Sequence, residues 1–383
     1  MPPAGGVNPA VMWRWATPHA QAVLATRDLA TILKYHRHVH GWNQTRLGDA
    51  LGYDKTYISL VETGRRTIDD LGSRRRIAIA LGLPPHTLGV TDPADSDFTA
   101  MLQFGDSVVR LAETARQSGH ATTAVDELWP LVARLEARVA DGHNEREVLV
   151  LLAHARVGLG TALGHILPEE RLPTAARWTG KGLAIARHLQ DRRFHSYALR
   201  MHGNELRKAG LVPAAVDRLQ HAVALATTPA EQAPALALLA RAASQAQHSD
   251  LFDHTMRSNQ QLLERVDHTS LVNPFSLHEI RLRGLVATGR LDRAAALAQE
   301  PPEPGPQSTP QWRVIEHVTA GQVLLRTGAL SEAHARLSTA ATQAFAHKLP
   351  HQLQRILRIR DLAPEIRSYT DDCLERLRTA MDA

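Results

Sequence analysis

Three histidines at alternate positions, His36, His38 and His40, are the densest run of histidines in the sequence. Imidazole nitrogens hold zinc when several ligands reach one point. The run lies in a helical pattern, where only residues three or four apart share a face, so His36 and His40 can meet while His38 points away. No carboxylate or cysteine completes a set nearby. The expectation is a semi-buried His36 and no metal.

The remaining candidates for chemistry are weaker. GLGTALG (158–164) has the glycines of a nucleotide-binding loop. It lacks a preceding strand and sits inside a helical pattern, so tight helix packing is expected. His278–Glu279 begins a zinc-protease motif, but Leu282 stands where its second histidine would be. Cys373, the single cysteine, excludes an intrachain disulfide framework and a multi-cysteine zinc site, and has no evident base beside it. Phosphate loops and nucleophile elbows are absent from the sequence. An enzyme is therefore not expected, nor a cofactor.

Charge is unevenly placed. Residues 1–90 hold 11 Arg and Lys against 6 Asp and Glu, and residues 91–383 hold 33 of each. The whole excess of +5 thus falls in the first quarter, where it favours a polyanionic partner. The first residues lack the basic start and apolar core of a signal peptide. No apolar run approaches the roughly 20 residues of a membrane span. The expectation is a cytoplasmic protein with no membrane partner.

Residues 1–26, rich in proline and glycine around Trp13 and Trp15, are read as an N-terminal arm, with a docked tryptophan as the alternative to a floppy one. From Arg27 the spacing of Leu29, Ile32, Leu33, His36 and Val39 is helical and ends at Gly41. Asn43 can cap a helix from Gln44, with Leu47, Ala50 and Leu51 inward, and Gly52 suits a turn with positive φ. Asp54 caps a second short helix to about Glu62, with Ile58 and Val61 inward and Gly64 at its end. A further helix over about 74–81 turns Ile77, Ala80 and Leu81 inward and stops at Gly82 and Pro84. Two short helices across a glycine turn suggest a helix-turn-helix.

This stretch resembles the Cro/C1-type (XRE-like) helix-turn-helix family, whose pattern is matched in register by Gln44, Leu47, Gly52, Ile58, Ser59, Glu62 and Gly64. Gly48 departs from the usual alanine, at a helix cost of about 1 kcal/mol, and Asp54 from the usual serine or threonine. The resemblance implies a five-helix DNA-binding domain over 27–90. In it Gln44 meets a phosphate with its side chain or its helix's amide end. Lys55, Thr56, Tyr57 and Ser59 lie on the exposed face of the recognition helix, and Thr63, Arg65 and Arg66 position the DNA backbone. It also implies a structural ion pair between Arg37 and Glu62. Arg74, Arg75 and Arg76 are read as a solvated face.

Residues 91–100 are acidic and loop-like and are read as a linker. Beyond them, 101–383 alternates helical patterns with short breaks, and the fold class expected is all-α. An internal repeat is visible. Gly203, Gly210, Ala215, Leu219 and Ala222 recur at identical offsets as Gly321, Gly328, Ala333, Leu337 and Ala340. Leu282, Gly289, Ala294 and Ala298 take the first four of those positions. The repeat resembles the tetratricopeptide (TPR) pattern, which implies a TPR-like α-solenoid serving as a sensor and dimerisation domain.

The expected function is a sequence-specific transcription regulator that binds double-stranded DNA as a homodimer on an inverted repeat. The body would respond to a peptide or small-molecule effector, whose binding residues the sequence does not identify. The arginine and alanine bias resembles actinobacterial regulators of this build. The alternative is a TPR-based interaction scaffold with a degenerate DNA-binding head.

Overall fold

The computed structural model describes residue 15 and residues 17–83, 85–90, 95–140, 142–305 and 308–382. Trp13 and the rest of the N-terminal arm before Trp15, Pro84 and most of the acidic stretch before Asp95 lie outside them. Among the described residues there are nineteen α-helices and no strand. The chain divides into two compact units. One comprises Met1–Val109, Trp129–Ala155 and Ala184–Asp191, and the other Arg110–Leu128, Arg156–Leu183 and Arg192–Ala383.

The first unit begins with five helices: α1 (Pro18–Ala25), α2 (Leu29–His40), α3 (Gln44–Leu51), α4 (Lys55–Glu62) and α5 (Leu71–Leu81). Each opens on a polar cap, Thr17, Asp28, Asn43, Asp54 and Asp70, whose side chain accepts a backbone N–H of the first turn. The core of these helices holds Trp15, Leu24, Ile32, Leu33, Leu47, Ile58, Val61, Ile77 and Leu81. Ala50 and Ala80, expected inward, are exposed. Of the segment read as an arm, Trp15, Ala20 and Leu24 belong to this core. The Trp15 ring is 2% exposed and its Nε1 donates to the Leu81 carbonyl at 3.4 Å.

α6 (Asp95–Gln117) starts inside the stretch read as linker, six residues before the helix that periodicity places at 101. It is followed by α7 (Ala121–Ala140), α8 (Arg146–Ile166) and α9 (Leu172–Ala186). By length and composition α8 meets the description of a membrane span, which the sequence analysis did not expect of any segment, but most of it is buried inside the structure. Its GLGTALG run is helical throughout. A Cβ on Gly160 would meet Thr179 and the Ala175 carbonyl at 2.7 Å, so these glycines are points of close helix approach.

The second unit continues as helix hairpins: α10 (Arg192–Lys208) with α11 (Val212–Leu225), α12 (Pro229–Gln245) with α13 (Ser249–Leu263), and α14 (Pro274–Ala287) with α15 (Leu291–Ala298). α16 (Pro310–Arg326) pairs with α17 (Leu330–Ala346), and α18 (Pro350–Leu357) with α19 (Pro364–Asp382). The first helices of successive hairpins, α10, α12, α14, α16 and α18, also touch in order and form one continuous layer. That is solenoid packing. The sequence repeat is its structural unit. Gly210, Gly289 and Gly328 turn their hairpins at φ of +80°, +76° and +86°, where a Cβ is strained. Gly203 and Gly321 let Leu219 and Leu337 close on their helices, where an added Cβ would lie 2.7 Å from each Cγ.

Candidate nucleic-acid interface

α3 and α4 are the two short helices, joined across Gly52, at which the sequence predicts a helix-turn-helix. The Asn43 side chain accepts from Arg46 N at 2.8 Å and the Asp54 side chain from Tyr57 N at 2.7 Å, so both helices start where the sequence places them. Gly52 closes α3 at φ +74°. A Cβ on Gly48 would run into the Tyr53 carbonyl. The turn brings backbone against this face of α3, which accounts for glycine in place of the usual alanine.

Leu47, Ile58 and Val61 anchor the pair in the core, which fixes what is left outside. Lys55, Thr56, Thr63, Arg65 and Arg66 are exposed, and Tyr57 and Ser59 are half-buried. Beyond α4, Gly64 turns at φ +71° and the amides of Arg65 and Arg66 both donate to the Leu60 carbonyl, at 2.9 and 3.2 Å. The Thr63 hydroxyl donates to the Ser59 carbonyl at 2.8 Å. Tyr57 stacks on Tyr53 with centroids 4.6 Å apart, and the Arg66 guanidinium lies 4.5 Å from the Tyr57 centroid. Tyr57 is therefore part of an aromatic stack as well as of the outer face.

Arg37 and Glu62 meet as the resemblance implied. The guanidinium donates through Nε at 2.6 Å and Nη2 at 3.0 Å to the two carboxylate oxygens. Glu62 also accepts from Gln44 Nε2 at 2.8 Å, and Arg37 Nη1 donates to the Trp42 carbonyl at 3.1 Å. One buried carboxylate thus ties α2, α3 and the end of α4 together. Burial pushes the Glu62 carboxyl up, but the hydrogen bonds from Arg37 and Gln44 and the Arg37 charge outweigh it, so its pKa lies below the usual value. The Arg37 pKa is raised, first by its hydrogen bond to Glu62. The Gln44 side-chain amide is spent on this lock, which leaves the amide end of α3 as the part free to approach a phosphate.

His36 and His40 share a face, their rings stacked at 4.1 Å, and His36 lies between Trp15 and Trp42. They serve the aromatic core of α2. Arg74 is only partly the solvated residue expected. Its Nε donates to the Ile68 carbonyl at 2.6 Å and its Nη1 to the Leu88 carbonyl at 3.0 Å, so it ties the loops on either side of α5. Arg75 and Arg76 are exposed.

Sequence reasoning missed a second set of cations, Arg207, Lys208, Arg241, Arg283 and Arg355, which line one cavity of about 120 Å³ in the second unit. They lie in α10, α12, α14 and α18, all first helices of their hairpins. Their signal was hidden because residues 91–383 are neutral in sum; only folding segregates the charges.

No family model and no curated protein matches the chain. Among solved structures, the crystal structure of Bacillus thuringiensis PlcR in complex with the peptide PapR7 and DNA is similar at a TM-score of 0.39 and 14% identity, over 82% of this chain and 99% of that one. A circular tandem repeat protein with novel repeat topology aligns at a TM-score of 0.17 and 14% identity, over 97% and 96% of the two chains.

Proposed function

We propose that this protein is a sequence-specific DNA-binding transcription regulator of the XRE-like kind, a helix-turn-helix head joined to a TPR-like body. The observation that carries the reading is the α3–α4 pair. Its apolar side is locked into a core by Leu47, Ile58, Val61 and the Arg37–Glu62 pair, while Lys55, Thr56, Arg65 and Arg66 stay outside. A first helical turn bearing Lys and Thr suits base edges in the major groove, and arginines beyond the helix suit phosphates. One such head buries little DNA surface, and useful specificity normally takes two. The protein therefore acts as a homodimer on an inverted repeat in the cytoplasm, and the helical body supplies the symmetry and takes a peptide or small-molecule effector.

Purified protein mixed with sheared genomic DNA, recovered and sequenced, tests this. Enrichment of one short inverted repeat is the expected result, and recovery of fragments without a shared motif rejects the reading. Sedimentation of the full chain at micromolar concentration checks the dimer, which a monomeric mass would exclude.

A further inference from the structure

The cation-lined cavity of the second unit combines three properties: high positive charge, low exposure and a shortage of counter-charge. Arg207 is 5% exposed, and among the described residues its guanidinium donates only to neutral acceptors, Asn204 Oδ1 at 3.0 Å and Gln245 Oε1 at 3.4 Å. Arg355 likewise donates to Thr319 Oγ1 at 2.6 Å and to the Ile315 carbonyl at 3.4 Å. The Arg241 guanidinium lies 5.1 Å from the Trp312 centroid, and its Nε has no hydrogen-bond partner among the described residues. Two carboxylates act on these groups, Glu205 and Glu279. Glu205 is taken by Lys208 at 2.9 Å, and Glu279 accepts from Thr319 at 2.9 Å. Five cations therefore converge where two carboxylates answer them, and one of the two, Glu205, is paired with Lys208.

The electrostatic consequence is consistent across the cluster. Burial, and then the charges of Arg241 and Arg283, press the Arg207 pKa well below its ordinary value. Burial first, and Arg283 next, bring Arg241 to about 10. Burial brings Lys208 down to about 8. A guanidinium does not release its proton in a protein, so the arginines keep their charges and repel one another. His351, beside them in the same cavity, is held at about 3 by burial and the neighbouring cations, and stays neutral.

We infer that this cavity is a binding site for a compact oxyanion ligand of the phosphate class, gripped by Arg207, Arg241, Arg283 and Arg355. The donors come from four different helices and line one cavity. A planar carboxylate is satisfied by one guanidinium fork, whereas a tetrahedral phosphate group has oxygens enough for several guanidinium groups from separate helices. The cavity of about 120 Å³ is well below the roughly 300–1,000 Å³ of sites for drug-sized ligands, which suits a phosphate or pyrophosphate group and not an extended peptide. Gln311 and Gln352 in the lining carry further donors for its oxygens. The Arg358–Glu169 ion pair, also in the lining, closes part of the wall with charges that already answer each other. The inference rests on reading the helical body as the effector-binding part; DNA binding by the head enters neither its argument nor its test.

Thermal unfolding and calorimetric titration of the full-length protein with sodium phosphate and pyrophosphate, at ionic strength held constant with KCl, test it. A saturable rise in Tm is expected, larger for pyrophosphate. Arg283→Gln is expected to raise the Tm of the ligand-free protein, because it removes one of the repelling charges, and to weaken pyrophosphate binding at least tenfold. Arg241→Gln should weaken binding similarly, and Arg257→Gln, an exposed residue of α13 outside this cavity, should leave it unchanged. Absence of a saturable shift, or full affinity in Arg283→Gln, overturns the site. Citrate binding as tightly as pyrophosphate overturns the phosphate assignment. The DNA-selection experiment can fail without touching these outcomes, and these can fail without touching it.

Discussion

Arg37 and Glu62, 25 residues apart in sequence, are joined by two parallel hydrogen bonds of 2.6 and 3.0 Å, with the Glu62 side chain almost wholly buried. Removing Glu62 leaves the Arg37 guanidinium, a quarter exposed, without its partner, at about 1–3 kcal/mol once solvent screening is allowed for. Glu62→Ala is expected to loosen the head by that order while the helical body keeps its stability. Hydrogen exchange of the full-length protein measures both at once. Amides of α2 and α4 should exchange faster and those of α16 and α17 should not; unchanged protection in α2 and α4 would count against the lock.

The same pair sets an acid limit. The Glu62 pKa is lower in the folded protein than its ordinary value of 4.5. A depressed carboxylate contributes stability that is fully present above the unfolded value and is lost as pH falls through the folded one. The stability difference between the wild type and Glu62→Gln should therefore be constant from neutral pH down to about 5, and shrink below the ordinary glutamate range. Denaturant titrations followed by exchange protection in α4, over a series of pH values, give the curve. A difference that grows on acidification would reverse the sign of the argument.

Lys55 and Arg65 should fail differently. Asp54 fixes the start of α4, so Lys55 lies in its first turn, whereas Arg65 follows Gly64 outside the helix. A base contact is worth about 1–3 kcal/mol and depends on sequence. Loss of a phosphate contact lowers affinity for all sequences and reduces the salt slope by about one unit. Lys55→Ala is expected to weaken operator binding far more than binding to scrambled duplex, and Arg65→Ala to weaken both alike. Fluorescence anisotropy across a salt series separates them, and equal losses for Lys55→Ala would remove that residue from base readout.

Gly321 and Gly72 give opposite outcomes for one substitution. A Cβ on Gly321 would lie 2.7 Å from Leu337 Cγ, while one on Gly72 meets nothing closer than Asp70 Oδ1 at 3.5 Å. Gly321→Ala is expected to cost about 1–3 kcal/mol through overpacking. Gly72→Ala, in the exposed first turn of α5, should gain about 0.5–1 kcal/mol from reduced backbone entropy in the unfolded chain. Urea midpoints decide, and a stabilising Gly321→Ala would show that α16 and α17 can separate freely.

Much of this molecule is local in origin, and that part was legible. The polar caps Asn43 and Asp54, the glycines at 41, 52, 64, 210, 289 and 328, and the 3–4 spacing of apolar residues set helix ends through hydrogen bonds and φ preferences spanning a few residues. The repeat offsets around Gly203 and Gly321 were readable for the same reason, since each small residue faces a leucine sixteen positions on. Arg37 and Glu62 were reached only through resemblance, because no local rule links residues 25 apart. What tertiary structure alone decided is where burial and charge ended up. Trp15 joins the core because Leu81 offers its nitrogen a carbonyl, and Arg74 is drawn from solvent to the carbonyls of Ile68 and Leu88. The cluster of Arg207, Arg241, Arg283 and Arg355 arises because successive hairpins stack their first helices side by side. Charge that sums to zero over residues 91–383 is then sorted in space, and Coulomb energy depends on that separation and not on sequence distance.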